Sequence, residues 1–228
     1  MKQLWMIVCL AWVLGVLAAP AAAAEIPAPA DASAASAKAA SAAATPSGSS
    51  GSGALASSSA GGSPQVRVIT SLGSFVIELN QERAPLTVAN FLKYVDQGQY
   101  TNTIFHRTIA NFVIQGGGYD VNYKLKAAPF KVVNESGNGL TNARGTVGLA
   151  RGTEPHAGDC QFYVNLLDNG ALDPSRSRWG YAVFGRVVDG MDVVDRIGGQ
   201  STGARGPFKE DAPLQQVIIE RVERVTTP

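Results

Sequence analysis

The centre of the chain reads FHRTIANFVIQGGG over residues 105–118. It contains an arginine, two phenylalanines and a glutamine, and it ends in three consecutive glycines. Two runs of alternating apolar and polar residues, Thr103 to Ile109 and Phe112 to Gln115, predict two adjacent strands. The segments on either side must then supply the rest of a sheet.

Side chains on a strand alternate between its two faces. Phe105, Arg107 and Ile109 are therefore expected to share one face of the first strand. Val113 and Gln115 are expected to share a face of the second. An arginine would then stand beside a glutamine over an apolar floor. A buried strand pair whose arginine reaches out to solvent would show the same pattern, so other observations must separate the two interpretations.

A hairpin and a helix are predicted before this stretch. Residues 65–71 and 74–79 alternate around Leu72-Gly73, which is typical of a β-hairpin. Pro85 then opens a helix at its first turn, where the missing N–H costs nothing, and Gly98 ends it. The helix has an apolar stripe that must pack on a sheet, formed by Val88, Phe91, Leu92 and Val95.

The second half of the chain adds more strands. Residues 119–138 are polar and weakly periodic, which predicts mostly loop. Strands are predicted over residues 145–151, 161–167, 181–188 and 214–225, with a short helix starting at Asp189-Gly190. These patterns give eight strands joined by short turns. The fold class is therefore mainly β, with an antiparallel sheet closed into a barrel and the two helices at its ends.

The chain begins with the pattern of a secretory signal peptide. Lys2 precedes an apolar run from Leu4 to Ala19, and small residues follow as far as Ala24. We expect residues 1–24 to be cleaved and the protein to be exported, in a bacterium to the periplasm. The apolar run is shorter than the roughly 20 residues of a spanning helix, so an uncleaved inner-membrane anchor is the less favoured alternative.

Two further regions follow the signal. Residues 25–64 are almost wholly Ala, Ser, Gly and Pro, which predicts a disordered linker because such residues bury too little apolar area to fold. Residues 65–228 have the length of one domain. Loss of Cys9 with the signal leaves only Cys160, so no internal disulfide is expected. The formal net charge of +1, without a basic block, argues against nucleic acid as a partner. We expect a monomer with no membrane contact after cleavage.

Three kinds of chemistry fit the sequence poorly. His106, His156 and one cysteine do not provide the converging ligands of a metal site, so no metal or other cofactor is expected. His106 is interpreted as a core or loop histidine. A Cys160–His156 pair would lack an orienting third group and an oxyanion hole, which makes Cys160 a packing residue. The glycines after Gln115 lack the lysine and the following helix of a phosphate loop.

Rotation about an X-Pro peptide bond needs no nucleophile, acid, base or metal. Its barrier is about 18–20 kcal/mol because twisting removes the amide resonance. The prolyl nitrogen then regains a lone pair. A guanidinium that donates a hydrogen bond to this nitrogen stabilises the twisted state more than either planar state. Arg107 beside apolar walls suits this chemistry.

Six motifs together resemble one known family. They are FHR at 105–107, FVIQGG at 112–117, NE at 134–135, GTVGLAR at 145–151, QFYV at 161–164 and VFG at 183–185. Residues 66–225 thus resemble the cyclophilins, which are peptidyl-prolyl cis/trans isomerases, and most closely the exported bacterial type. The resemblance implies a closed eight-stranded antiparallel barrel capped by two α-helices. It also implies activity on proline-containing polypeptides that are unfolded or partly folded.

The resemblance assigns roles to particular residues. Arg107 takes the position of the catalytic arginine, while Gln115 would bond the substrate backbone and help to hold the arginine. Ala150 and the backbone of Arg151 would form the edge along which the peptide lies. Four residues would line the proline pocket, namely Phe112, Val113, Tyr163 and Leu172.

The chain departs from the family pattern around this pocket. Val113 stands where methionine is common and Tyr163 where phenylalanine is common, so we expect a reshaped pocket that is more polar at one wall. Tyr181 stands where many members have a histidine. Ala171 stands where cyclosporin-sensitive members have a tryptophan. We expect weak cyclosporin binding, because alanine lacks the indole donor and its contact area.

Two functions are compatible with these residues. The first is a peptidyl-prolyl isomerase that assists protein folding outside the cytoplasm. The alternative is a proline-peptide binding module or chaperone with little catalytic activity, which the altered pocket would suit. The presence of both Arg107 and Gln115 favours the enzyme.

Overall fold

Ten strands and two α-helices are formed by residues 62–225, the part of the chain that this computed structural model describes. The helices are α1 (Pro85–Asp96) and α2 (Met191–Gly198), and a short 3-10 turn spans Gly170–Leu172. The predicted signal peptide (residues 1–24) and most of the predicted linker (residues 25–61) lie outside the described residues. The strands are β1 (Gln65–Thr70), β2 (Gly73–Leu79), β3 (Thr103–Ile109), β4 (Val113–Asp120), β5 (Thr146–Leu149), β6 (Phe162–Asn165), β7 (Val183–Asp189), β8 (Thr202–Arg205), β9 (Phe208–Pro213) and β10 (Val217–Arg224).

Eight of these strands close into a barrel in the order β1-β10-β3-β4-β6-β5-β7-β2. Every neighbouring pair is antiparallel. The last strand, β10, joins β1 to β3 and thereby removes both free edges of the sheet. The predicted eight-stranded antiparallel barrel is confirmed.

Apolar side chains from the helices pack on the barrel core. In α1 the ring centroid of Phe91 lies 5.1 Å from that of Phe184 and 5.7 Å from that of Phe162. In α2 the side chains of Val194 and Ile197 are fully buried in the same cluster. The two predicted helices therefore cover the barrel. No helix within residues 62–225 is long and apolar enough to cross a membrane.

The N-terminus of α1 is capped by a residue from a distant loop. Ala84 precedes the helix and has no side chain that could cap it. Instead the Glu135 carboxylate accepts hydrogen bonds from the backbone N–H groups of Leu86 and Thr87, at 3.2 and 2.7 Å, and from the Thr87 hydroxyl at 2.6 Å. A negative charge at this end also suits the helix dipole. Glu135 thus ties the loop to α1.

The glycines at the end of the central stretch belong to a strand. β4 continues to Asp120, so the prediction of loop from residue 119 onward began slightly too early. A Cβ atom at Gly116 would lie 2.8 Å from the Phe105 ring, and one at Gly117 would lie 2.8 Å from the Tyr100 ring. These glycines therefore allow aromatic rings to lie directly against the β4 backbone.

A β-bulge in β3 corrects the predicted face of Phe105. Phe105 lies opposite Gly116 while Arg107 lies opposite Gln115, so β3 has one more residue than β4 across this interval. Phe105 consequently points into the barrel, where its ring centroid is 6.1 Å from that of Phe162. The prediction that Phe105 shares a face with Arg107 is wrong. The extra residue of the bulge interrupts the alternation of side chains between Phe105 and Arg107, so the two residues point to opposite faces.

The strand prediction missed the two-stranded sheet β8–β9. Its residues are mostly exposed and polar, so they show no apolar alternation. The hairpin packs on β3 through Phe208, whose ring centroid lies 5.2 Å from that of His106. This contact brings β9 close to Arg107.

Candidate active site

A second apolar cluster lies on the outside of the barrel, separate from the main core. On β6, Phe162 and Val164 point into the main core while Tyr163 between them joins the outer cluster. Ile109 packs against the cluster from β3. The cluster unites residues from five separate parts of the chain, and its members are Phe112, Val113, Ala150, Tyr163, Leu172 and Tyr181.

Arg107 and Gln115 stand side by side next to this cluster. They are register partners across β3 and β4, and Gln115 is in turn the partner of Tyr163 across β4 and β6. Arg107 is 8% exposed and Gln115 is fully buried. The Gln115 amide donates from Nε2 to Oε1 of Gln161 at 3.3 Å, which fixes its orientation. Two polar side chains on adjacent strands thus lie beside Tyr163 of the apolar cluster.

The β8–β9 hairpin places a carboxylate beside the arginine. Arg107 Nε lies 3.6 Å from Oδ2 of Asp211, whose side chain is 29% exposed. Arg107 and residues 207–211 line a hollow of about 300 Å³. Asp211 was missed at the sequence level, because only the unpredicted hairpin brings it near β3.

Tyr163 has its hydroxyl group buried behind the cluster. The hydroxyl donates to Oδ1 of Asn142 at 2.5 Å, and burial raises the pKa of Tyr163 well above its ordinary value. The ring lies against Gly148, where a Cβ atom would be 2.2 Å from the hydroxyl oxygen. The expectation of a more polar pocket wall is therefore wrong at this residue, since the polar end of the side chain is paired away from the surface.

Tyr181, a member of the cluster, lies beside Arg151. The Arg151 guanidinium carbon lies 4.5 Å from the centroid of the Tyr181 ring, an arrangement typical of a cation–π contact. Arg151 also donates to the carbonyl oxygens of Trp179 at 3.0 Å and Gly180 at 3.4 Å. Burial raises the pKa of Tyr181, against the opposing effect of nearby Arg151. The Arg151 side chain therefore holds the segment that carries Tyr181.

Ala171 lies at the rim and outside the apolar cluster. It belongs to the 3-10 turn Gly170–Leu172, where it is exposed while its neighbour Leu172 is 3% exposed. The Ala171 carbonyl accepts a hydrogen bond from Arg178 Nη2 at 2.6 Å. The small side chain leaves this edge of the cluster open.

Comparison with known proteins agrees with this geometry. The family described as "Cyclophilin type peptidyl-prolyl cis-trans isomerase/CLD" matches residues 65–224 of the chain. The chain belongs to the cyclophilin family. It is 49% identical to peptidyl-prolyl cis-trans isomerase B of Escherichia coli (strain K12) over 156 residues, which cover 67% of this chain and 94% of that protein. It is 48% identical over 159 residues to peptidyl-prolyl cis-trans isomerase cyp18 of Streptomyces antibioticus, covering 68% and 95% of the two chains.

Solved structures support the same fold. A cyclophilin-type isomerase from Cryptosporidium parvum superimposes with a TM-score of 0.59 at 24% identity, covering 72% of this chain and 99% of that chain. A further structure of that protein was solved in the presence of the dipeptide Ala-Pro. The family match and the sequence relatives together show the activity. This cyclophilin is a peptidyl-prolyl cis-trans isomerase.

Cys160 and His156 have other partners and show no sign of a nucleophilic pair. Burial and the nearby Asp159 raise the pKa of Cys160 to about 12, and its Sγ lies 3.6 Å from the Gly117 carbonyl oxygen. His156 accepts a hydrogen bond on Nδ1 from the Asn134 backbone at 3.0 Å and is exposed. Each residue is thus engaged elsewhere. Within residues 62–225, no group of three or more His, Cys, Asp or Glu side chains is placed to hold a metal ion.

A larger hollow than the one beside Arg107 lies elsewhere on the barrel. It measures about 870 Å³ and is lined by residues of β2 and β7, with the ion pair of Glu78 and Arg186 at its side. None of its lining residues is aromatic. The outer cluster beside Arg107, by contrast, contains the aromatic side chains of Phe112, Tyr163 and Tyr181.

Proposed function

We propose that this cyclophilin catalyses isomerisation of X-Pro bonds in exported polypeptides that are not yet folded, by means of Arg107. The observation that carries the proposal is the pairing of Arg107 with Gln115 at the edge of the outer apolar cluster. A fixed cation next to an apolar surface suits a reaction in which an apolar ring is held while its amide nitrogen gains electron density.

The apolar cluster would hold the proline ring. Phe112, Val113 and Leu172 contribute walls that are each 5% exposed or less, and the Tyr163 ring contributes its carbon face because its hydroxyl is bonded to Asn142. Burial of the ring in such a site excludes water from the amide. Electrostatic interactions with the twisting bond are stronger in this environment than in water.

Arg107 would act on the nitrogen of the twisting amide. Loss of resonance gives the prolyl nitrogen a lone pair, to which a guanidinium N–H can donate. The ion pair with Asp211 involves Nε, which orients the plane of the guanidinium. Because the planar cis and trans amides lack this lone pair, the bond forms fully only in the twisted state and lowers the barrier.

Gln115 and the neighbouring strand edge would hold the peptide backbone. Gln161 orients the Gln115 amide, and the β4–β6 pairing fixes its position. Ala150 and Arg151 follow β5 at the other side of the cluster, where an extended substrate would gain main-chain hydrogen bonds. Such bonds do not depend on side chains, so the substrates would be proline-containing polypeptides of varied sequence.

The relatives support this class of partner. The Cryptosporidium parvum structure in the presence of Ala-Pro shows that a protein of this fold was studied with a proline dipeptide. We expect the present cyclophilin to act as a monomer and to bind cyclosporin weakly, because Ala171 leaves the rim of the groove open.

The export proposal rests on residues 1–24, whose charged, apolar and small-residue segments follow one another as in a signal peptide. Cell fractionation combined with intact-mass measurement tests it. A periplasmic protein that begins near Glu25 supports export with cleavage. An uncleaved protein in the inner membrane would indicate an anchor, and a cytoplasmic protein of full mass would refute export.

Prolyl exchange measured by NMR tests the proposed role in catalysis. A tetrapeptide with a central Ala-Pro bond gives separate cis and trans signals, whose exchange is slow without catalyst. We expect sub-stoichiometric protein to accelerate this exchange. Line broadening from binding without faster exchange would instead identify a proline-peptide binding module or chaperone.

A further inference from the structure

We propose that Asn142, a loop residue behind the outer cluster, is a positioning residue that sets the width of the proline pocket. It is 1% exposed and so has no access to a substrate. Its effect must pass through residues that form the pocket walls. The proposal rests on the proposed function, in which the outer cluster and Arg107 form the peptide-binding groove. It adds to that groove a residue to which no motif or resemblance gave a role.

The first contact joins Asn142 to the Tyr163 wall. Asn142 Oδ1 accepts the Tyr163 hydroxyl at 2.5 Å. Gly148, opposite Tyr163 in the β5–β6 pairing, leaves room for the ring to lie flat against the strand. Gly148 has no side chain that could limit the position of the ring. The hydrogen bond to Asn142 therefore determines the position of the ring along the strand.

The second contact joins Asn142 to the opposite wall. Its backbone N–H and its Nδ2 both donate to Oδ1 of Asp173, each at 2.8 Å. Asp173 directly follows the 3-10 turn that carries Leu172. The Leu172 carbonyl also accepts the Tyr181 backbone N–H at 2.9 Å. Asn142 therefore bonds Tyr163 through its side chain on one side, and the turn with Leu172 through its side chain and backbone on the other.

A network of amides keeps Asn142 itself in place. Asn165 Nδ2 donates to Asn142 Oδ1 at 3.2 Å, and Asn165 Oδ1 accepts from Asn169 Nδ2 at 2.7 Å. Asn169 also donates to the carbonyl oxygen of Phe112 at 2.9 Å. The network thus extends to a third pocket residue. Buried polar groups that are fully paired in this way favour one arrangement of the surrounding side chains.

The expected consequence is a selective loss of peptide affinity. Asn142→Ala keeps the backbone bond to Asp173 but removes the side-chain bonds to Tyr163 and Asp173, so both walls become less ordered. The bound peptide must then order them, which weakens binding. Arg107 and Gln115 are held by other contacts, to Asp211 and Gln161. The exchange rate of bound peptide at saturation should therefore change little.

The test compares Asn142→Ala with Asn138→Ala. Asn138 lies in the same loop and makes two similar side-chain bonds, to the Val183 carbonyl at 2.9 Å and from the Leu140 N–H at 3.0 Å. Neither partner belongs to the outer cluster. NMR titration with an Ala-Pro tetrapeptide gives Kd, and exchange spectroscopy at saturation gives the isomerisation rate. We expect Asn142→Ala to raise Kd about tenfold and Asn138→Ala to change it less than about twofold, with both rates at saturation within about twofold of wild type.

Variants of Asp173 keep the test decisive if Asn142→Ala does not fold. Asp173 is only partly buried, and Asp173→Ala removes the shared acceptor of the turn. Asp173→Asn keeps an oxygen at the same place. We expect Asp173→Ala to raise Kd about fivefold and Asp173→Asn to restore most of the affinity.

The outcomes separate this proposal from the proposed function. If wild-type protein binds the peptide while the Asn142 and Asp173 variants bind it equally well, the positioning role is refuted and the groove stands. If the rate at saturation falls with unchanged Kd, the positioning role is also refuted. If wild-type protein neither binds the peptide nor accelerates exchange, the proposed function itself fails.

Discussion

Mild acid should destabilise this protein through a single buried histidine. His106 packs between the rings of Phe208 and Tyr119, at centroid distances of 5.2 and 4.8 Å. Burial, with a smaller contribution from the Arg107 charge, lowers the pKa of His106 from 6.5 to about 3. The folded protein thus keeps this ring neutral over a pH range in which the unfolded chain protonates it.

The magnitude follows from the linkage between protonation and folding. The contribution of His106 is fully present above an unfolded pKa of 6.5 and is lost as the pH falls toward about 3. In that window the unfolded state binds one more proton, so the free energy of unfolding falls by about 1.4 kcal/mol per pH unit. Between about pH 7 and about pH 5 the loss from this residue should be about 2 kcal/mol.

Urea unfolding at both pH values, for wild type and His106→Phe, measures this contribution. The phenylalanine keeps an aromatic ring but cannot take up a proton. Asp159, whose pKa burial raises, titrates in both proteins, so the difference between them isolates His106. His156→Gln is the matched control, because it removes the other histidine of the chain and leaves His106 in place. Equal pH dependence in wild type and His106→Phe would refute the reasoning.

Three further changes have defined outcomes. Glu135→Ala should lower the free energy of unfolding, measured in urea, by about 2 kcal/mol, since it removes three hydrogen bonds at the start of α1. The control Glu154→Ala changes an exposed residue and should have little effect. Equal losses in the two variants would contradict the role of Glu135 as a helix cap. Gly148→Ala should displace the Tyr163 ring and lower the free energy of unfolding by about 1–3 kcal/mol. It should also weaken peptide binding in an NMR titration. Unchanged binding would show that the ring does not form the pocket wall. Cyclosporin should inhibit the wild type weakly and Ala171→Trp at least about tenfold more strongly, and tight inhibition of the wild type would refute the assigned effect of Ala171.

The barrel was predictable because each of its strands has at least one face in a core. That burial places apolar residues at the inward positions of the strands, as in β1 and β10. The β8–β9 hairpin has no such requirement, since it lies mostly exposed. The bulge in β3 was also invisible, because an extra residue leaves no signature in a run that is buried on both sides.

Some residues of the candidate site could be predicted from the sequence and others could not. Arg107 and Gln115 could be singled out because both lie in strands predicted to be adjacent, and the resemblance then gave them roles. Asp211 and Asn142 had no local signal, since their partners are distant in sequence. The environment of the Tyr163 hydroxyl depends on Asn142 and could not be inferred from the residue type alone.

The most direct test of the proposed mechanism is the turnover of Arg107→Ala. Its unfolding free energy should remain within about 1 kcal/mol of wild type, because the ion pair with Asp211 is partly exposed. We expect NMR exchange of the Ala-Pro tetrapeptide to slow by about a hundredfold or more at equal enzyme concentration, with Arg107→Lys nearly as poor because an ammonium lacks the planar set of donors. Near-normal exchange by a folded Arg107→Ala protein would contradict the role of Arg107.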